Sequence, residues 1–200
     1  MSLIKLNNRS IKDVTSLPFG VGNLIHIQSQ TASNSASISF TTGIDSTYKE
    51  YQFYFIDIHP RTDATFFQFN MSADSGSNYN VTKTTTNFVA YHDEADTATG
   101  LTYDTSTDLA QSTDFQIIGY PIGSGADESL AGTLQLFNPS STTYVKHFIS
   151  NINRYHYADY SSNQFVAGYG NTTSAVNAVR FQMGSGNFDG IIKLYGVKKS

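Results

Sequence analysis

Hydrophobic and polar positions alternate at period two along most of the chain after Asn23, most densely between Glu50 and Ser72, EYQFYFIDIHPRTDATFFQFNMS. In the first arm of this stretch Tyr51, Phe53 and Phe55 fall on one side and Tyr54, Ile56 and Ile58 on the other. In the second arm Phe67, Phe69 and Met71 oppose Phe66, Gln68 and Asn70. Aromatic and β-branched residues at this period mark both arms as strands. The first arm is apolar on both sides, which predicts a mid-sheet strand with a covered second face. Between the arms, His59–Asp63 carries turn chemistry, so the pair reads as a hairpin that nucleates the core.

The same period continues on either side. Leu24, Ile25 and Ile27 predict a first strand, and Ala36, Ile38 and Phe40 alternate with Ser35, Ser37 and Ser39 in a second. A turn at Asp74–Asn78 leads to a strand expected over Tyr79–Val89. His92–Ser112 is the least strand-like region and reads as a long loop with a helical turn around Thr107–Gln111; loops of this length are often functional. Further strands are expected at Phe115–Ile118, Leu130–Phe137, Thr143–Ser150, Val176–Met183 and Phe188–Val197. Asn151–Gly170 stands out instead for its tyrosines, Tyr155, Tyr157, Tyr160 and Tyr169. About ten short strands, with turns at roughly 8–12-residue spacing, predict an all-β fold: an antiparallel β-sandwich, jelly-roll-like. No longer period repeats, which disfavours solenoids and propellers.

Residues 1–22 break the pattern. Leu3, Ile4 and Leu6 form an apolar patch, and Ile11, Val14 and Leu17 follow at spacing three before the punctuation of Leu17–Gly22. A helix this short is marginal without a partner surface. The segment is read as an N-terminal extended arm for docking, ahead of a sandwich domain over 23–200; a tail packed on its own domain fits the residues equally.

Composition narrows the function. Charged residues are 14% of the chain, against roughly 25% in an average soluble domain, and Ser and Thr fill the difference. The net charge is −4, and the 12 basic residues are scattered, densest at Lys5, Arg9, Lys12 and at Lys193, Lys198, Lys199. Nucleic-acid binding needs a basic stripe, so it is disfavoured. No apolar run approaches the ~20 residues of a membrane span, and there is no cysteine for disulfide or thiol chemistry. The N-terminal residues lack the apolar stretch of a signal peptide, so release by lysis is the expected route out of a cell.

Motifs add little chemistry. Asp93-Glu94-Ala95-Asp96 spells a helicase box without the phosphate-binding loop that must accompany it. The acidic loop, with Asp104 and Asp108, also suits a hard cation, but its spacing fits no EF-hand and a solvated loop explains it as well. His26, His59, His92, His147 and His156 show no zinc-ligand spacing. Asp57, inside an apolar strand, is the best placed acid for a glycosidase, which needs two carboxyl groups. Asp63 is near in sequence but across a turn, and an Asp at a strand end bonding backbone amides is the favoured reading. No nucleophile elbow exists. The sequons at Asn8, Asn70, Asn80 and Asn171 need secretory passage to matter. The reading is therefore not an enzyme, with no cofactor and no metal. The best candidate binding surface is Arg154, Tyr155, Tyr157 and Tyr160: exposed rings offer stacking platforms for sugars, although tyrosines also fill cores and subunit contacts.

Four segments taken together, FYFIDIHPRTDATFFQFN, AYHDEADTATGLTYDTSTDLAQ, GTLQLFNPSSTTYVKHF and AGYGNTTSAVNAVRFQMGSGNFDGIIKLYGVK, resemble a family of small virion structural proteins from tailed phages of marine bacteria. The resemblance spans most of the chain from about Tyr51 onward and carries over no functional residue. It implies a structural protein at the virion surface, either a capsid decoration or a tail-fibre component. Its expected partners are other virion proteins, further copies of itself (a homo-oligomer such as a trimer) and a host surface glycan, with no nucleic acid and no membrane. A carbohydrate- or receptor-binding module for host recognition is the alternative.

Overall fold

A computed structural model describes residues 23–198, and these form two antiparallel sheets packed face to face, the all-β sandwich the alternation predicts. The strands are β1 (Leu24–Ser35), β2 (Ser37–Phe40), β3 (Glu50–Pro60), β4 (Thr65–Ser72), β5 (Lys83–Asp93), β6 (Thr99–Tyr103), β7 (Gln116–Ile122), β8 (Leu130–Phe137), β9 (Lys146–His156), β10 (Tyr160–Gly170), β11 (Ala178–Met183) and β12 (Phe188–Val197). The long sheet runs β1-β12-β3-β8-β9-β10-β5-β6 and the short sheet β2-β11-β4-β7. The docking-arm residues Leu3, Ile4, Leu6, Ile11, Val14 and Leu17 lie outside the described residues.

This order is a jelly roll with two inserted hairpins. Without β5–β6 and β9–β10, and with the rest renumbered, the sheets run 1-8-3-6 and 2-7-4-5, the order of two interlocked Greek keys. The inserts add four strands to one edge of the long sheet, a wing that extends past the short sheet. Both leave and rejoin the roll at one corner. Asn70 Nδ2 donates to the carbonyls of Tyr79 (2.7 Å) and Thr113 (2.9 Å), closing the first insert. The Val176 amide donates to Pro139 O at 2.9 Å, closing the second, and the Asn177 amide donates to Ser72 O at 3.0 Å, joining the two.

The roll is filled with aromatic rings. Phe181 of β11 lies 5.1 Å from both Phe53 and Phe55 and 5.9 Å from Phe67, ring centre to ring centre. Phe40 and Phe69 complete its surroundings, and all six rings are buried. The Glu50–Ser72 stretch supplies most of them, but not as a hairpin. β3 pairs with β12 and β8, whereas β4 pairs with β11 and β7, so the turn after Pro60 carries the chain from one sheet to the other. Each arm has one face of large rings. Placed in opposite sheets those faces meet, Phe55 edge-on to Phe67 at 5.3 Å; in one sheet they would lie side by side.

The phase of β3 also departs from simple alternation. The register slips between Phe55 and Ile58, where exposed Asp57 takes φ 51° opposite Gly190, at φ 133°. A Cβ on Gly190 would come within 2.7 Å of Asp57 O, so only glycine fits against this bulge. Ile58 is thereby turned into the core beside Tyr51, Phe53 and Phe55. The outer face of β3 is half-buried, Tyr54 standing edge-on to Tyr195 of β12 at 5.3 Å, and no described layer covers it.

Three further expectations change. The 92–112 region is not a plain loop: it contains β6, paired to β5 from Phe88↔Tyr103 to His92↔Thr99. Residues 105–107 make a turn, with no helix at Thr107–Gln111. The tyrosine-rich segment is most of a β9–β10 hairpin, paired from Lys146↔Gly170 to His156↔Tyr160.

Under the wing the interior turns polar. Lys83, Thr85, Asn87, Thr107, Gln116 and Gln164 are all buried. Gln116 Oε1 accepts from Thr85 Oγ1 at 2.6 Å, and its Nε2 donates to the carbonyls of Thr107 (2.9 Å) and Ile117 (2.7 Å). Lys83 Nζ donates to Asn70 Oδ1 and Val81 O, each at 2.7 Å. Desolvation pushes the Lys83 ammonium down to about 7, with Asp114 opposing the shift. Asn87 Nδ2 donates to Thr107 Oγ1, which leaves buried Asn87 Oδ1 without a partner among the described residues.

Candidate ligand-binding cleft

Strand register assembles the site. Along β9 the side chains of Lys146, Phe148, Ser150, Ile152 and Arg154 alternate inward. β10 lies beside β9 and β5 beside β10, so Arg154, Ser162 and Tyr91 form one row across the three strands. His156, Tyr160 and Asp93 form the next row toward the hairpin end. Across from these rows stand Tyr120 and Pro121 of β7, joined by a cis peptide bond. The space between is a cleft of about 460 Å³, lined also by Val89, Ala98, Asp104, Tyr157 and Ala158.

One wall is a chain of rings. Tyr157 stacks on His156 at 4.6 Å and 23°, His156 meets Tyr160 edge-on at 5.2 Å, and Tyr160 meets Tyr91 edge-on at 5.9 Å. Tyr157 is 48% exposed and presents its ring to solvent.

The floor holds a guanidinium. Arg154 is 3% exposed. Its Nε donates to Pro121 O at 3.1 Å and its Nη1 to Gln164 Oε1 at 2.9 Å; the same oxygen accepts from the Tyr120 amide at 3.0 Å. Gln164 thus fixes both the floor and the opposite wall. An arginine has five N–H donors, and Nη2 has no hydrogen-bond partner among the described residues, so donors remain for a ligand. Desolvation lowers Arg154 to about 10, with Asp104 opposing the shift, so it stays charged at neutral pH. Burial pushes Asp104 up, but hydrogen bonds from Ser106 and Thr107 and the nearby Arg154 charge outweigh it and hold the carboxyl below its usual range. Burial first, and then Arg154, lowers His156, which keeps the imidazole neutral at pH 7.

Of the residues singled out from the sequence, Arg154, Tyr157 and Tyr160 meet in this cleft. Tyr155 is one residue out of phase and faces the opposite side of the sheet. Its hydroxyl donates to Glu94 Oε1 at 2.9 Å and lies 3.3 Å from Asp159 Oδ1; the Glu94 contact pushes the phenol up. It lines a separate hollow of about 390 Å³ with His92, Glu94 and Asp127. Tyr91, Asp104, Tyr120 and His156 complete the cleft from segments far apart in sequence or overlooked as strand. Only β5–β10 pairing brings Tyr91 in, and no local signal announces it.

The other candidate chemistry has structural duties. Asp93 accepts from the Thr97 hydroxyl and the Thr97 and Ala98 amides, which close the β5–β6 turn and lower its carboxyl, the Thr97 hydroxyl most. No group of three His, Cys, Asp or Glu side chains converges as a metal site among the described residues. Asp57 sits exposed at the bulge and lines neither the aromatic cleft nor the hollow beside Tyr155. The aromatic cleft offers one carboxylate, Asp104, where glycoside hydrolysis uses two. The Asn70 sequon is fully buried. No protein-family model, curated protein or solved structure matches this chain.

Proposed function

We propose that the chain is a non-enzymatic structural protein displayed on the surface of a phage particle, its wing turned outward to hold a host-surface ligand. The cleft carries this reading: a guanidinium with open donors lies at the base of a wall of rings, in a cavity of ligand-binding size. Stacked and edge-on tyrosines give apolar contact with little entropy loss, while Arg154 and Asp104 orient hydroxyls. The resemblance to virion proteins supports the particle half. In this reading the 1–22 arm attaches the protein to other virion proteins, copies associate with one another, and lysis releases the particles. A carbohydrate- or receptor-binding module for host recognition is the second reading, favoured by the same cleft.

Immunogold labelling of intact particles tests the first reading. Label over the head supports a capsid decoration, and label on the tail supports a fibre component. No label on any particle would remove the virion reading. Deletion of residues 1–22 is expected to leave a folded domain that no longer attaches.

A further inference from the structure

We propose that the cleft selects uncharged sugar rings and discriminates against those carrying a carboxylate. The inference rests on the recognition reading of the cleft and specifies its ligand class.

Shape and stacking favour a pyranose. One face of such a ring is largely C–H, and Tyr157 offers it a half-exposed aromatic face backed by His156, Tyr160 and Tyr91. Polar chemistry then decides which substituents fit. Arg154 supplies only donors, while Asp104, ionised, supplies only acceptors. A sugar hydroxyl is both donor and acceptor, so neighbouring hydroxyls satisfy the two groups at once. A carboxylate accepts but cannot donate. It would satisfy Arg154 and leave Asp104 facing a like charge.

The local charge points the same way. The segments that supply most of the cleft's frame, residues 91–108 and 154–162, carry Asp93, Glu94, Asp96, Asp104, Asp108 and Asp159, with Arg154 as their only Lys or Arg. Asp104 alone of these acids lines the cleft, while Asp93 and Glu94 line the hollow on the other side and Asp159 lies beside Tyr155 there, acting at longer range. His156 is neutral at pH 7 and adds no positive charge. The frame is therefore net negative although a guanidinium lies at its base. A site built for acidic sugars would show the opposite balance.

The test is calorimetry on the full-length protein with neutral oligosaccharides and their uronic-acid or sialylated counterparts, chosen from a glycan array. Neutral members are expected to bind at least about tenfold more tightly than their acidic counterparts at low salt. Asp104→Asn is expected to narrow that ratio to within about threefold, and Tyr157→Ala to abolish binding of both classes. Should Asp104→Asn not fold, the wild-type protein reads the same term through salt. Raising ionic strength from about 0.05 to about 0.5 M, which shortens the Debye length severalfold, narrows the neutral-to-acidic ratio if the frame's charge sets it. Acidic sugars binding as tightly as neutral ones, or tighter, would overturn the selectivity and leave the recognition reading standing. A ratio that moves with neither Asp104→Asn nor salt would overturn its electrostatic cause. Wild-type protein that binds no sugar of either class would overturn the recognition reading, and the selectivity with it.

Discussion

The roll and the wing are continuous in one sheet yet are held together differently. Between β1, β12, β3, β8 and the short sheet, Phe40, Phe53, Phe55, Phe67, Phe69 and Phe181 fill the interior. Beneath β9, β10 and β5, Lys83, Thr85, Asn87, Arg154, Ser162 and Gln164 are buried alongside Phe148, Ile152 and Val166. Apolar burial is non-directional and tolerates imperfect angles. A buried polar network stabilises only when each donor finds an acceptor, and an unmatched group costs about 1–3 kcal/mol. The difference shows where a binding site can arise. The open donor Arg154 Nη2 lies in the region where polar side chains are already held in place by one another.

Four measurements press on this contrast. The largest effect is expected from Phe181→Ala, which empties the centre of the ring cluster and should cost about 3–5 kcal/mol in denaturant unfolding. A loss under about 1 kcal/mol would mean the roll re-packs freely and is less specific than its rings suggest. Gln116→Leu comes next. It strips partners from Thr85 Oγ1 and from the Thr107 and Ile117 carbonyls, for about 1–3 kcal/mol. Amide exchange should then quicken in β5 and β6 while β3 and β12 keep their protection; uniform loss of protection would show the wing and roll opening as one unit.

Lys83 provides the third. Its pKa is about 7 in the folded protein, against 10.5 for an ordinary exposed lysine. Between these the unfolded chain binds the extra proton, so stability should rise as pH increases from about 7 toward 10.5, by up to about 1.4 kcal/mol per pH unit. Below about 7 both states are protonated and the group contributes no slope. Lys83→Met should flatten the profile over that window, and an unchanged slope would show the charge is solvated after all. The smallest stability change belongs to Tyr157→Ala, within about 0.5 kcal/mol for a half-exposed ring, even though ligand binding should vanish. A large loss of stability would reassign Tyr157 from the ligand to the fold.

The same contrast explains what could be read from residues alone. In the roll, large apolar residues recur at period two, and β2, β4, β8, β11 and β12 follow that period closely, β3 as far as its bulge. What period two does not reveal is partner choice, which is why the β3–β4 arch looks like a hairpin. Nor does it reveal the bulge at Asp57, since one extra residue re-phases Ile58 without altering composition. In the wing the signal inverts. β10 turns Ser162 and Gln164 inward and Phe165 outward, and β6 is mostly exposed, so neither resembles a buried strand. Arg154, Tyr157 and Tyr160 were legible because they crowd into one short segment. Tyr155 shares that segment, but neighbouring residues in a strand point opposite ways. Asp104, Tyr91 and Tyr120 belong to the cleft only through pairing and packing that no local pattern encodes.

The corner where the inserts rejoin the roll has a consequence for how this protein can change. Because Asn70, Val176 and Asn177 pin both necks together, the roll's own strands are joined across both inserts at this one corner. Substitutions, longer loops or a transplanted hairpin in the wing can alter what is recognised while the eight-stranded frame and its attachments stay as they were. Selection on recognition and selection on folding then act on largely separate residues, so one lineage can keep its scaffold while its specificity diverges quickly.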